Sequence, residues 1–82
     1  MKKALIIGVS GQDGAYLAQF LLSKGYAVYG SSRDAQMHSF DNLNRLDIRT
    51  HIQVESVALN DFRSVLQAIA KIQPDEIYNL AG

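Results

Sequence analysis

The chain contains no cysteine, so disulfides and thiolate metal sites are excluded. It has no net charge, because eight basic residues balance eight acidic ones. A neutral chain without a basic run gives no electrostatic case for nucleic acid or an anionic membrane. Long hydrophobic runs are missing as well. Between Met1-Lys2-Lys3 and Gly8 stand only Ala4-Leu5-Ile6-Ile7, too short for a signal-peptide core or a membrane span. A soluble, cytoplasmic protein is therefore expected. Histidine is scarce: His38 and His51 stand apart, without partners at metal-ligand spacing, and are expected to be solvated or partly packed. With 82 residues, one domain with a modest core is the upper limit.

What the chain does have is glycine at spaced positions. Gly8-Val9-Ser10-Gly11-Gln12-Asp13-Gly14 follows the apolar run Ala4–Ile7 and opens an amphipathic helix read as Ala15 to Ser23. A strand, a glycine turn and a helix in succession form the context of a dinucleotide-binding turn. Gly8 lets the chain leave the strand sharply, Gly11 lets backbone approach a pyrophosphate, and Gly14 lets helix pack close to strand. The helix start then offers N–H groups and a partial positive charge to phosphates. Asp13 suits the dipole of that first turn, and Gln12 reaches either a phosphate or its own turn.

Further along, Gly25 falls where a helix ends, and Tyr26 to Gly30 reads as a second strand. Ser31 to Asp41 is polar and reads as a loop, and Asn42 to Arg49 as a short helix. Ile52 to Val57 alternates and reads as a third strand. Asn60 is placed to cap a third helix, with Phe62, Val65, Leu66, Ile69 and Ile72 on one face and Pro74 just past its end. Glu76 to Leu80 completes a fourth strand.

Strand–helix units in succession imply a parallel sheet. The expected fold is α/β, the first part of a Rossmann-type doubly wound sheet with strand order 3-2-1-4. The chain stops at Gly82, leaving one face of the fourth strand open. Residues 1–82 are therefore expected to be the N-terminal, cofactor-binding part of a longer protein.

In such folds the end of the second strand discriminates NAD from NADP. An acid there bonds the ribose 2′-OH, whereas an arginine pairs with a 2′-phosphate. Here the stretch is Ser31-Ser32-Arg33-Asp34. Arg33 has the planar fork a phosphate needs, so NADP is favoured. Asp34 either pairs with Arg33 or bonds a ribose. Asn79-Leu80-Ala81-Gly82 leaves the fourth strand at the edge where ligands bind, and its small residues serve either the cofactor or close packing.

Gly8 through Leu17, Gly25-Tyr26, Ser32-Arg33 and Pro74 through Gly82 together resemble the GDP-mannose 4,6-dehydratase family of the extended short-chain dehydrogenase/reductase group. The resemblance runs along nearly the whole chain. It implies tightly held NADP and conversion of GDP-mannose to GDP-4-dehydro-6-deoxymannose, a net lyase reaction in an enzyme that is a dimer or tetramer. By match to the family's motifs, Gly8, Val9, Ser10, Gly11, Gln12 and Asp13 line the pyrophosphate. Arg33 holds the 2′-phosphate, and Leu80, Ala81 and Gly82 run beside the adenosine and ribose. Ala58-Leu59 stands where the family usually has Asp-Leu, so the adenine loses a carboxylate contact while Leu59 still packs near it. The family's Tyr-x-x-x-Lys is absent from these residues, and no catalytic residue is assigned. Two other readings stay open: an epimerase or 4-keto reductase of the same group, and a non-catalytic NADP-binding module.

Overall fold

A computed structural model describes residues 1–32, 40–57 and 61–80. Four parallel strands, β1 (Lys3–Ile7), β2 (Ala27–Ser32), β3 (Gln53–Ser56) and β4 (Glu76–Asn79), form one sheet in the order β3-β2-β1-β4. Helices α1 (Gln12–Ser23), α2 (Asp41–Arg45) and α3 (Phe62–Ile72) connect them, with a 3-10 turn at Arg49–His51. The strand order is the one expected from the sequence.

β1 is central because both its faces are apolar. Ile6 pairs with Gly30 of β2 on one side and with Tyr78 of β4 on the other. Side chains alternate along a strand. Ala4 and Ile6 therefore pack with Ala15, Ala18 and Leu21 of α1 and with Leu43 of α2. Leu5 and Ile7 pack on the opposite face with Ile69 and Ile72 of α3. An unbroken apolar run is what a strand covered on both faces requires.

The helix ends explain several boundaries. α1 begins at Gln12, three residues before the expected start, with Gly11 as its N-cap. It closes as the sequence suggested: Gly25 is left-handed at φ 85°, its N–H reaches the Leu22 carbonyl at 3.0 Å, and the Tyr26 N–H reaches Leu21 at 3.1 Å. This paired pattern satisfies two carbonyls that the helix leaves over. α2 ends the same way but earlier than Arg49, because Asp47 takes the left-handed conformation and Ile48 N–H turns back to Leu43 at 3.0 Å. For α3 the expected cap is corrected. Asn60 lies outside the described residues, and the Asp61 carboxylate accepts the Arg63 N–H at 3.1 Å. Asp61 directly precedes Phe62, and a short side-chain oxygen there satisfies a free helical N–H.

Two further expectations change. Ser31 and Ser32 belong to β2, not to a loop, and both are buried. Parallel pairing continues through Ile7–Ser31 and Ser32–Ser56, and tertiary pairing overrides the polarity of the serines. The apolar face of α3 also splits. Ala68 and Ile72 are buried, whereas Phe62 and Leu66 remain 74% and 48% exposed. The sheet takes the flank centred on Ala68 and Ile72. Ile77 of β4, in register with Leu5 and so on the α3 face, is exposed too.

At the N-terminal ends of the strands, Glu76 joins two neighbours. Its carboxylate accepts the Tyr78 hydroxyl at 2.6 Å and the Tyr26 hydroxyl at 3.0 Å, with the Lys2 ammonium 3.9 Å away. The bond from Tyr78 first, then that from Tyr26, holds the Glu76 carboxyl below its ordinary value. The same bonds raise both phenols. A depressed carboxyl stabilises the fold above its unfolded value, and the effect disappears as pH falls through the folded value. The wild type should therefore melt at lower temperature in acid. The gap in melting temperature between wild type and Glu76→Gln should narrow below about pH 4.5. A gap unchanged from pH 7 to pH 3 would remove Glu76 as its source.

Candidate functional site

The glycine turn lies at the C-terminal ends of β1 and β2, the edge at which open α/β sheets bind ligands. Gly8 has φ 89°, a conformation that side-chain-bearing residues rarely adopt. The turn is tied to β2 by one atom: the Ser31 carbonyl accepts the N–H groups of Gly8 and Val9, at 3.0 and 3.1 Å. Val9 is thereby carried inward and is fully buried. It sits over Gly30 so closely that a Cβ on Gly30 would meet Val9 Cγ1 at 2.5 Å and Val9 Cβ at 2.8 Å. Gly30→Ala should cost about 1–3 kcal/mol by overpacking, and adding Val9→Ala should recover only part of that loss in a urea titration, because the alanine keeps the Cβ that would lie 2.8 Å away.

The two remaining glycines differ in kind. A Cβ on Gly14 would meet the Gly8 carbonyl oxygen at 2.7 Å and Val9 Cα at 2.8 Å, both of them backbone atoms. Gly14 thus sets the approach of α1 to the turn. A Cβ on Gly11 would find only the Gly8 oxygen, 3.9 Å away. Gly11 is not needed for packing; it lines open space.

Gly11, Gln12 and Asp13 are exposed at the mouth of this turn. α1 starts at Gln12, and its first N–H groups have no acceptor within the helix. Gly11 brings no side chain to cap them. The result is a set of backbone donors at the positive end of a 12-residue helix, beside an opening the width of a missing Cβ. That arrangement suits a phosphate or pyrophosphate. Leu80 reaches the same edge, where its N–H donates to the Ile7 carbonyl at 2.8 Å. Of the expected site residues, Gly8, Val9, Ser10, Gly11, Gln12, Asp13, Gly14 and Leu80 therefore converge on one end of the sheet. Arg33, Ala58, Leu59, Ala81 and Gly82 lie outside the described residues.

Sequence reasoning overlooked three contributors. The Ser31 carbonyl anchors the turn, yet a backbone acceptor leaves no trace in residue type. Gly30 left a signal, since a glycine inside a strand marks close approach of another backbone or side chain. Asn42 of α2 donates its side-chain amide to the Ser10 carbonyl at 3.0 Å, from 32 residues away in sequence. Among the described residues no three or more His, Cys, Asp and Glu side chains gather as a metal site. No described helix is long and apolar enough to cross a membrane.

Comparison with known proteins agrees with this geometry. A family model described as GDP-mannose 4,6 dehydratase matches residues 5–82. The chain is 41% identical to GDP-mannose 4,6-dehydratase of Yersinia enterocolitica, with all of this chain and 23% of that protein covered. It is also 41% identical to GDP-mannose 4,6 dehydratase 2 of Arabidopsis thaliana, with 99% of this chain and 23% of that one covered. The chain thus spans under a quarter of the length of these relatives. Among solved structures it resembles the Bordetella bronchiseptica enzyme WbmH in complex with NAD+, at TM-score 0.76 and 29% identity, covering 100% of this chain and 26% of that one. It also shares its fold with dTDP-glucose 4,6-dehydratase of Bacillus anthracis in complex with NAD, at TM-score 0.79 and 13% identity, covering 100% of this chain and 27% of that one. With its Rossmann-type α/β fold and a match along almost its entire length, the chain belongs to the GDP-mannose 4,6-dehydratase family.

Proposed function

We propose that these residues form the NADP-binding part of a GDP-mannose 4,6-dehydratase. The observation that carries this reading is the exposed start of α1 at Gly11–Asp13, with open space where a Gly11 side chain would stand. Backbone N–H groups of Gln12 and Asp13 bind the pyrophosphate, while Gly8 and Gly14 hold the turn in shape. Arg33 pairs with the 2′-phosphate. Ala58 and Leu59 lie by the adenine, and Leu80, Ala81 and Gly82 by the adenosine and ribose. A dinucleotide held by these residues would supply hydride transfer, taking up a hydride from the hexose and giving it back within one turnover. No residue of this chain is proposed as catalytic. GDP-mannose is the proposed substrate, and a cytoplasmic dimer or tetramer the proposed assembly, of the whole enzyme.

A second reading, NAD in place of NADP, draws on WbmH, whose structure holds NAD+. Titration with each dinucleotide, followed by calorimetry, separates the two. NADP should bind at least about tenfold more tightly than NAD, and Arg33→Ala should erase that preference. Tighter binding of NAD by the wild type would favour the second reading, and equal affinities would remove the NADP preference. Absence of binding to either would remove the dinucleotide reading altogether. An epimerase or 4-keto reductase of the same group would pass this test, and turnover of GDP-mannose by the whole enzyme then distinguishes it.

A further inference from the structure

We infer that Asn42 is a positioning residue for the pyrophosphate turn, an inference that rests on the dinucleotide reading above. Asn42 Nδ2 donates to the Ser10 carbonyl at 3.0 Å in a partly buried setting. The N–H on the far side of the same peptide, that of Gly11, points to the Gly8 carbonyl at 3.5 Å. A trans peptide is planar, with its C=O and N–H opposed. Holding both ends therefore sets the orientation of the Ser10–Gly11 plane. Gly11 is the N-cap of α1, so this plane aims the Gln12 and Asp13 N–H groups that follow.

The amide of Asn42 is itself oriented. Arg45 Nη2 donates to Asn42 Oδ1 at 2.8 Å, one helical turn along α2. The reversed amide would set its oxygen against the Ser10 carbonyl and its NH2 against a guanidinium, losing both bonds. Arg45 therefore keeps the donor facing the turn. α2 is in turn anchored by Phe40 and Leu43, both almost wholly buried. Phe40 adopts the left-handed conformation at φ 55°, which a non-glycine residue keeps only where its surroundings hold it. The helix that carries Asn42 is thus a fixed platform beside the turn.

The test uses the full chain with Asn42→Asp and Asn42→Ala. Asn42→Asp keeps an acceptor for Arg45 but replaces the donor to Ser10 with an oxygen, so the unliganded protein should stay folded and melt somewhat below wild type. Both variants should bind NADP and NAD about tenfold more weakly, by equal factors, because the turn serves the pyrophosphate common to both. Amide resonances of Gly11, Gln12 and Asp13 should shift in the ligand-free variants while those of α3 stay in place, which a general loss of stability would not produce. Wild-type affinity in both variants overturns the inference and leaves the dinucleotide reading intact. Weakening by Asn42→Asp alone would trace to its added charge and also overturns it. A wild type that binds neither dinucleotide overturns the reading and the inference together.

Discussion

Replacing Gly14 with alanine is expected to unfold this chain or to leave it barely folded. The added methyl would lie 2.7 Å from the Gly8 oxygen and 2.8 Å from Val9 Cα. These are backbone atoms, and they have nowhere to retreat. Gly8 and Val9 are held by the Ser31 carbonyl, and Val9 is wedged against Gly30. Relief would require α1 to move off β1, opening the contacts of Ala15 and Ala18 with Ala4 and Ile6. Overpacking of this kind costs about 3 kcal/mol when the neighbours cannot yield. A domain of this size has only a few kcal/mol of net stability to lose. Circular dichroism on heating would show the effect directly. A melting curve within a few degrees of wild type would mean that α1 docks more loosely than the structure indicates.

Gly11 gives the opposite expectation. Its Cβ position faces open space, and its backbone, at φ −75° and ψ 170°, suits any residue. Gly11→Ala should therefore fold, losing about 1 kcal/mol or less for a poorer N-cap. Its methyl would occupy the volume proposed for the pyrophosphate. NADP binding should fall at least about a hundredfold, since the phosphate must retreat from the N–H groups at the helix start. The two glycines thus separate folding from binding. Gly14→Ala removes both, and Gly11→Ala removes only the second. If Gly11→Ala bound NADP like the wild type, the pyrophosphate would have to lie elsewhere along the turn.

The folding pattern was written locally in several places. Ala4–Ile7 is apolar without alternation, and such a strand must be buried on both faces. Gly25 marks the end of α1 because a left-handed residue is needed there. Three glycines at their spacing, between a strand and a helix, mark the turn at the edge where open α/β sheets bind ligands. The one proline, Pro74, falls just beyond α3. These signals are legible because each depends on a residue and its immediate neighbours: a missing Cβ, a missing N–H, or a period of apolar side chains.

Other features depended on parts of the chain that are far apart in sequence. Ser31 and Ser32 look like loop residues until Ile7 and Ser56 pair with them. Phe62 and Leu66 fit the apolar period of α3, yet the sheet takes the flank of Ala68 and Ile72 instead. Asn42 is an ordinary polar residue on a short helix until α2 brings its amide to Ser10. The sequence by itself determined the order of strands and the turn, because those rest on local conformational preference and spacing. The tertiary structure alone decided which carbonyl anchors the turn, which glycine packs and which lines open space, and which side chain steadies the site. Hydrogen bonds and close contacts between distant segments depend on where the packed sheet brings them, and no local pattern of residue types records that.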